Sequence, residues 1–495
     1  MQISKSDYML YLRHPAWLWL KKNDKNKLPP IDDALQSIFD AGYLFESYAE
    51  KLFPDGIKLN WEGYQQYMDL PMRTNEAIMS GAKTIFQGRF ESGEITCIVD
   101  VIVFKDKKTL DLYEIKSSNS AKPSHEHDLA FQTIVLEDAG YKVGKISVIH
   151  VNKDFVRNGD IKVEEFAEIT DVTTKVRKRI NSTRDKIKEA IATVKLKSMP
   201  DASPAKCGMS STSDWIEIYK SLTGIKKGDG SIYDIYNPSA TLIGKLESAG
   251  IKKIDDIPLD FDGLSEKQRW QIKAMKANKI FIDHKKIKQF MDRIEYPIYF
   301  LDYESLASVV PYFDGHKPSQ NVPFQYSLHI IDAIGADLRH IEYLHSENSD
   351  PVYQLSKSLQ KNIGKTGSVL VWWQDFEKGC NKDMGQMFPE FQEFYDDINS
   401  RVVDLITPFF DYYYVDKRFG GSASIKDVLP VLVPELSHKD LDISEGRLAQ
   451  RLWMEAVLDD KRPEEKEKIL KDLWDYCRLD TLAMVRIWEF LGGIK

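Results

Sequence analysis

At 495 residues the chain is too long for one ordinary hydrophobic core, and two or three domains are expected. With 42% hydrophobic and 29% charged residues its composition is that of a soluble globular protein, and no run approaches the roughly 18 consecutive apolar residues of a membrane span. The net charge of −8 does not advertise a nucleic-acid binder, although a local basic strip on an acidic protein can still engage phosphate. The opening M-Q-I-S-K-S-D-Y is polar, without the apolar segment of a signal peptide. Cys97, Cys207, Cys380 and Cys477 are far apart, which argues against a disulfide framework or a zinc ribbon and for a reducing cytoplasm.

Residues 3–22 read as a helical segment capped by Ser4 or Ser6, with Tyr8, Tyr11 and Leu12 on one side. Residues 34–53 read as a second amphipathic helix; Glu46 inside it is either a surface residue or a site residue. I-T-C-I-V-D-V-I-V-F (95–104) is a strand with Asp100 in its middle, K-D-K-K a turn, and T-L-D-L-Y-E-I-K (109–116) the returning strand. Glu114 and Lys116 are two apart and share a face, and Asp100 lies on the neighbouring strand. Two carboxylates and a lysine at one strand end suit metal-assisted phosphodiester cleavage: the acids hold Mg²⁺, and the lysine orients water and offsets developing charge. A solvated hairpin face with a salt bridge is the other reading. A helix over 128–140 presents Gln132, and a strand follows at 145–152.

This order of elements, with D, E-x-K and a later Q, resembles the RecB-like branch of the PD-(D/E)XK nucleases. The opening S-K-S-D-Y-M-L-Y-L-R-H-P resembles the start of CRISPR-associated RecB-type exonucleases. The resemblance covers residues 1–199 and implies a restriction-endonuclease-like α/β core. It makes Asp100 and Glu114 ligands for one or two metal ions and Lys116 the catalytic lysine. Glu46 stands where such proteins carry a metal-binding His, and Gln132 matches the Q of their Q-x-x-x-Y helix, with Leu136 in place of the Tyr. Many relatives also hold an iron–sulfur cluster on one Cys before Pro near the start and three later ones. Here His14 precedes the Pro and only Cys207 remains later, so no cluster is expected.

Residues 174–197 carry nine Lys/Arg against two acids, with a helical apolar face of Val176, Ile180, Ile187, Ala190 and Ile191. The segment reads as a solvated helix or as a phosphate-contacting strip through Arg177, Lys178, Arg179, Arg184 and Lys188. Residues 200–292 are punctuated by Pro, Gly and Ser and read as a helical connector, with two short helices around Gly250-Ile251.

P-I-Y-F-L-D-Y-E-S-L (297–306) is a short apolar run that reads as a buried strand, with Asp302 and Glu304 on one face. Like charges so placed repel and lose hydration unless a cation joins them, and a divalent metal with oxygen ligands does so most simply. Strand-like 323–332, a helix over 350–362 and a buried strand, Val369–Trp373, lead to Asp375 and Glu377 at the start of a helix. The last helix aligns Leu473, Tyr476, Asp480, Ala483, Ile487 and Phe490 on one face, so Asp480 sits in an apolar stripe one turn after Tyr476. An Asp bonded to a hydroxyl or an Arg is the other reading for that position alone.

D-x-E on a first strand, an acid beside F in a middle motif and Y-x-x-x-D on a late helix resemble the DnaQ-like, or DEDD, 3′–5′ exonucleases of RNase H-like fold. The resemblance covers 293–495 and implies a mixed sheet with flanking helices. It assigns Asp302, Glu304, Glu377 and Asp480 to two Mg²⁺ or Mn²⁺ ions, and Tyr476 to the orientation or deprotonation of the attacking water. Glu377 replaces the usual Asp, so either its helix sits further back or Asp375 contributes. S-A-S-I-K-D-V-L-P-V-L resembles the helix before that family's final motif. Both halves together resemble an uncharacterised bacterial family that fuses the two nuclease domains. The expectation is a cytoplasmic, multidomain α/β metal-dependent nuclease acting on DNA in preference to RNA, with no membrane partner. A nucleic-acid-binding or scaffold protein with one or both sites inactive, and a phosphoesterase for small nucleotides, are the competing expectations.

Overall fold

Alternating and continuous apolar runs build two main sheets and a small two-stranded one in the computed structural model, which describes residues 2–30, 33–209, 212–226, 228–437, 441–443 and 445–494, without the side chains of 33–39. The chain divides into two units, Met1–Lys226 with Asn237–Lys245, and Lys227–Tyr236 with Leu246–Lys495. Residues 200–292, read as a connector, are shared between the two. The architecture is mixed α/β and multidomain. Among the described residues no helix is long and apolar enough to cross a membrane.

The first unit holds strands β1 (Ile3–Ser4), β2 (Ile57–Lys58), β3 (Thr84–Ser92), β4 (Ile95–Phe104), β5 (Thr109–Lys116), β6 (Lys142–Val151) and β7 (Ala167–Asp171). They lie in the order β2-β3-β4-β5-β6-β7, with β1 pairing in parallel to the start of β4 through Ile3↔Ile95. The β3–β4, β4–β5 and β6–β7 pairs are antiparallel, and β5–β6 is parallel. The helix Pro123–Asp138 packs Leu129, Phe131, Ile134 and Val135 into the core. It begins five residues earlier than the apolar periodicity predicts. Pro123 supplies a pre-set first-turn φ, and the polar S-H-E-H that follows carries no apolar signal. The segment 3–22 is two helices, Lys5–Arg13 and Pro15–Asn23, because Pro15 cannot continue the first. Ser4, not Ser6, is the cap: its Oγ accepts the Asp7 amide while Asp7 Oδ2 accepts the Ser4 amide.

The second unit adds β8 (Phe281–Ile282), β9 (Ile298–Ala307), β10 (Asn321–Ile331), β11 (Arg339–Leu344), β12 (Ser368–Val371), β13 (Val402–Asp404) and β14 (Tyr414–Val415). Its main sheet runs β11-β10-β9-β12-β13. The β9–β10–β11 meander is antiparallel, and β12 and β13 continue it in parallel to β9. The central strand β9 is therefore covered on both faces. Leu301 and Tyr303 pack on one side, and Ile298 and Phe300 on the other. The 27-residue helix Lys466–Gly492 buries Leu473, Tyr476, Asp480, Ala483 and Ile487, the face predicted from its spacing.

Candidate functional site

Two carboxylate clusters form, one in each unit; the first is threaded by two lysines that hold one of its acids down, and the acids of the second raise one another. In the first unit the β4–β5 ladder reaches Val101↔Tyr113. Just beyond it the Ile115 amide donates to Asp100 Oδ2 at 2.8 Å, so Asp100 and Glu114 sit side by side where the ladder ends. Glu114 is 1% exposed and fully engaged. Its Oε1 accepts from Lys116 Nζ at 2.6 Å and Lys5 Nζ at 2.8 Å, and its Oε2 from Gln132 Nε2 at 2.5 Å. Asp128, one helical turn before Gln132, accepts from Gln132 at 3.1 Å and Lys116 at 3.0 Å, and lies 3.6 Å from Lys5.

Sequence reasoning missed Lys5 and Asp128. Asp128 left a signal, four residues before Gln132 on the same helix face. Lys5 left none beyond the S-K-S-D opening; the Ser4 cap and the β1–β4 pairing bring it to the cluster.

Burial alone would raise the Glu114 carboxyl, but Lys116 and Lys5 hold it well below the usual range. Burial, then the Glu114 charge, push Asp100 up to about 7. Burial raises the Glu46 carboxyl, with Glu50 and then Glu114 adding to the shift, and Gln87 Nε2 donates to its Oε1. Leu136 is fully buried in the core, so the position that would carry a Tyr supplies no hydroxyl. His14 stacks on Trp215 with ring centroids 4.1 Å apart, accepts the Ala16 amide on Nδ1, and places Nε2 3.0 Å from the Ser203 carbonyl. Cys207 packs beside that pair, and Cys97 is buried in β4.

The basic strip is largely spoken for. Arg177, Arg179 and Arg184 pair with Glu137, Glu126 and Asp138 of the neighbouring helix at 2.6, 2.7 and 2.7 Å, while Lys178 and Lys188 are exposed. The three arginines thus tie two helices together, a role the segment's composition does not distinguish from phosphate contact. Arg179→Ala is expected to cost about 1 kcal/mol in urea unfolding and to leave single-stranded DNA affinity unchanged. Weaker binding at unchanged stability would return that arginine to the phosphate role.

In the second unit β9 directs Asp302 and Glu304 to one face, opposite Ser327 and Gln325 of β10. The same β10 residues hold the last helix in place. Gln325 Nε2 donates to the Leu473 carbonyl at 2.9 Å; Ser327 Oγ and His329 Nδ1 meet Thr481 Oγ1 at 2.6 and 2.8 Å. Tyr476, Cys477 and Asp480 are thereby brought to the β9 carboxylates. Cys477 Sγ lies 3.7 Å from Asp302 Oδ2, and Asp302, Glu304 and Cys477 each present a donor atom within 4.8 Å of the others. Cys477 was missed by sequence reasoning, although it stands three residues before Asp480 on the same helix.

Glu377 is 1% exposed on the first turn of Gln374–Met387, whereas Asp375 is exposed, so the middle-motif acid at the cluster is Glu377. The turn is set by Asp404 at the end of β13, whose two carboxylate oxygens each accept an amide at 3.0 Å, from Trp373 and Gln374. Trp373 there takes the left-handed region at φ 84°. Asp404→Ala should cost about 1–2 kcal/mol by chemical unfolding, the scale of a lost N-cap, and shift Glu377 with the helix start.

Burial, then Asp480, raise the Asp302 carboxyl well above its usual range. Burial, then Asp302 and Asp480, do the same to Glu304, with Lys426 opposing. Burial and Asp302 raise Glu377, whose Oε2 is buried with no hydrogen-bond partner among the described residues. Burial, then Asp480, Glu304 and Asp302, push the Tyr476 phenol up.

Residues 299–424 match a family described as "Domain of unknown function (DUF2779)". That span holds Asp302, Glu304 and Glu377 and stops before Tyr476, Cys477 and Asp480. The chain is 23% identical over 257 residues to an uncharacterized protein of Mycoplasma genitalium, covering 48% of this chain and 38% of that protein. It is 24% identical over 238 residues to an uncharacterized protein of Ureaplasma parvum, covering 44% of this chain and 34% of that protein. The matches thus span little more than a third of the length of these curated relatives, and neither description states an activity.

Proposed function

We propose that the chain is a metal-dependent nuclease that hydrolyses phosphodiester bonds of DNA, with a 3′–5′ exonuclease centre at Asp302, Glu304, Glu377 and Asp480. The observation that carries the reading is the buried second-unit cluster, where acids from three elements converge and Asp302 has only the Cys477 thiol and the Tyr303 backbone beside it to offset its charge among the described residues. Such a set is costly without a cation, and the orphaned Oε2 of Glu377 is the kind of acceptor a bound cation satisfies. An oxygen-rich donor set fits Mg²⁺ or Mn²⁺. The strand order β11-β10-β9-β12-β13, with D-x-E on the central strand, supports the RNase H-like resemblance.

Asp302, Glu304, Glu377 and Asp480 would hold the cations; when bound, these supply charge neutralisation at the scissile phosphate and a more acidic water. Tyr476, beside these acids, orients or deprotonates the attacking water. Lys426, 5.8 Å from the centroid of the Tyr476 ring, adds positive charge beside Glu304.

The first-unit cluster fits a metal less well as it stands. Both Glu114 oxygens already accept from lysines and Gln132, and one Asp100 oxygen accepts a backbone amide. We assign it as a second PD-(D/E)XK-type site on Asp100, Glu114, Glu46 and Lys116. The saturation of Glu114 favours, as the second reading for this unit alone, nucleic-acid binding without cleavage.

The test is incubation of the full chain with Mn²⁺ and single-stranded DNA labelled at its 5′ end. A ladder shortening from the 3′ end and abolished by Asp480→Ala is expected. RNA in parallel decides the sugar preference, and residual cleavage in Asp480→Ala that is lost with Lys116→Ala reports the first unit. No cleavage with any divalent cation would leave the binding-module reading.

A further inference from the structure

Two thiols, Cys477 and Cys380, lie close to the second-unit cluster, and one of them is placed as a ligand. Cys477 Sγ is 3.7 Å from Asp302 Oδ2, and its sulfur and one oxygen each of Asp302 and Glu304 all fall within 4.8 Å of one another. The 3.7 Å between the Cys477 sulfur and the Asp302 oxygen is a separation that one first-row divalent ion bridges with bonds of about 2.0–2.3 Å, and the Glu304 oxygen lies near enough to join them on side-chain rotation. Among the described residues no other His, Cys, Asp and Glu group of three meets that spacing. A second observation points into the same place. Glu377 is 1% exposed, its Oε2 has no hydrogen-bond partner among the described residues, and Asp302 is the leading charge acting on it. Cys380 senses Glu377 and Asp302 but does not join the triad.

We infer that Asp302, Glu304 and Cys477 form a mixed carboxylate–thiolate site that takes a borderline, thiophilic divalent cation of the Zn²⁺ and Co²⁺ class in preference to Mg²⁺. This deepens the reading of the cluster as a metal centre and rests on it. The physical basis is ligand softness. A purely carboxylate cluster suits hard ions, and one sulfur donor shifts the affinity toward ions that bond thiolate well. On binding, the sulfur–metal bond forms as the Cys477 S–H bond breaks, and the proton leaves to buffer. Because two of the three donors are also ligands of the proposed exonuclease centre, a Zn²⁺ ion there occupies the place of the ion that supports cleavage. Zn²⁺ is therefore an inhibitor of Mn²⁺-supported trimming, acting through Cys477.

The test uses the full chain stripped of metal and titrated with Co²⁺. A thiolate-to-cobalt charge-transfer absorption is expected, removed by excess Zn²⁺ and not by excess Mg²⁺. It is lost in Cys477→Ser and retained in Cys207→Ser, and Co²⁺ affinity falls about tenfold or more in Cys477→Ser. Asp302→Asn, which leaves the thiol intact, also removes the band and guards against a misfolded serine variant. Co²⁺ binding by calorimetry with no charge-transfer band in the wild type overturns thiolate ligation while leaving the carboxylate centre standing. Calorimetry that detects neither Co²⁺ nor Mn²⁺ binding overturns both. A band that survives Cys477→Ser but not Cys380→Ser overturns the assignment of the ligand.

Discussion

Asp302→Asn is expected to raise the melting temperature of chelator-treated protein while lowering 3′ trimming by about three orders of magnitude or more. The two effects share one cause. Asp302 sits against Asp480, Glu304 and Glu377, and burial raises its carboxyl first, with Asp480 next. A neutral amide at this position removes the cost of either burying the charge or taking up a proton to neutralise it, so the metal-free fold gains stability.

The same shifts set a pH dependence. Asp302, Glu304 and Glu377 all have folded-state pKa values above their unfolded ones, so the folded chain binds protons that the unfolded chain has released. Their contribution is fully present below the unfolded carboxyl pKa, about 4, and is lost as pH rises through the raised values. Melting in EDTA from about pH 5 to 8 should show this decline from the second unit, and Mn²⁺ should flatten it, because bound cation replaces the proton. A metal-free Asp302→Asn protein that melts below wild type would mean that the cluster is not under repulsion.

Glu114→Gln is expected to do the opposite, destabilising the first unit by about 3–5 kcal/mol as read by urea unfolding. Glu114 is the acid that both Lys5 and Lys116 contact most closely, at 2.8 and 2.6 Å. Its removal leaves two buried or half-buried ammonium groups with Asp128 and Asp100 to share. Lys5→Met should cost less, because Glu114 keeps Lys116 and Gln132. The pH sign reverses as well. The Glu114 carboxyl is held below its unfolded value, so its contribution is present above about pH 4.5 and is lost as pH falls through the depressed folded value. Asp100 contributes with the other sign around neutrality, its carboxyl being pushed up to about 7. A Glu114→Gln variant as stable as wild type would show that the lysines are solvated and that the cluster is loosely held.

Local chemistry was legible without the fold. The hairpin over 95–104 and 109–116 matches β4 and β5 in both bounds, because its apolar runs are long and its K-D-K-K turn is polar. Asp302 and Glu304 share a face because a strand repeats every two residues, and Tyr476 and Asp480 because a helix brings i and i+4 together. These are short-range periodicities, and the amino-acid sequence determined them by itself. The tertiary structure decided which charges meet. Lys5 bonds Glu114 across 109 residues, and Cys477 reaches Asp302 across 175. Arg177, Arg179 and Arg184 pair with acids of a neighbouring helix because Thr173–Val194 packs on Pro123–Asp138. Glu377 rather than Asp375 enters the second cluster because Asp404, on a strand 27 residues later, fixes where the helix begins. Period and propensity act over a few residues, whereas the partner of a buried charge is set by which elements pack together, and no spacing along the chain encodes that.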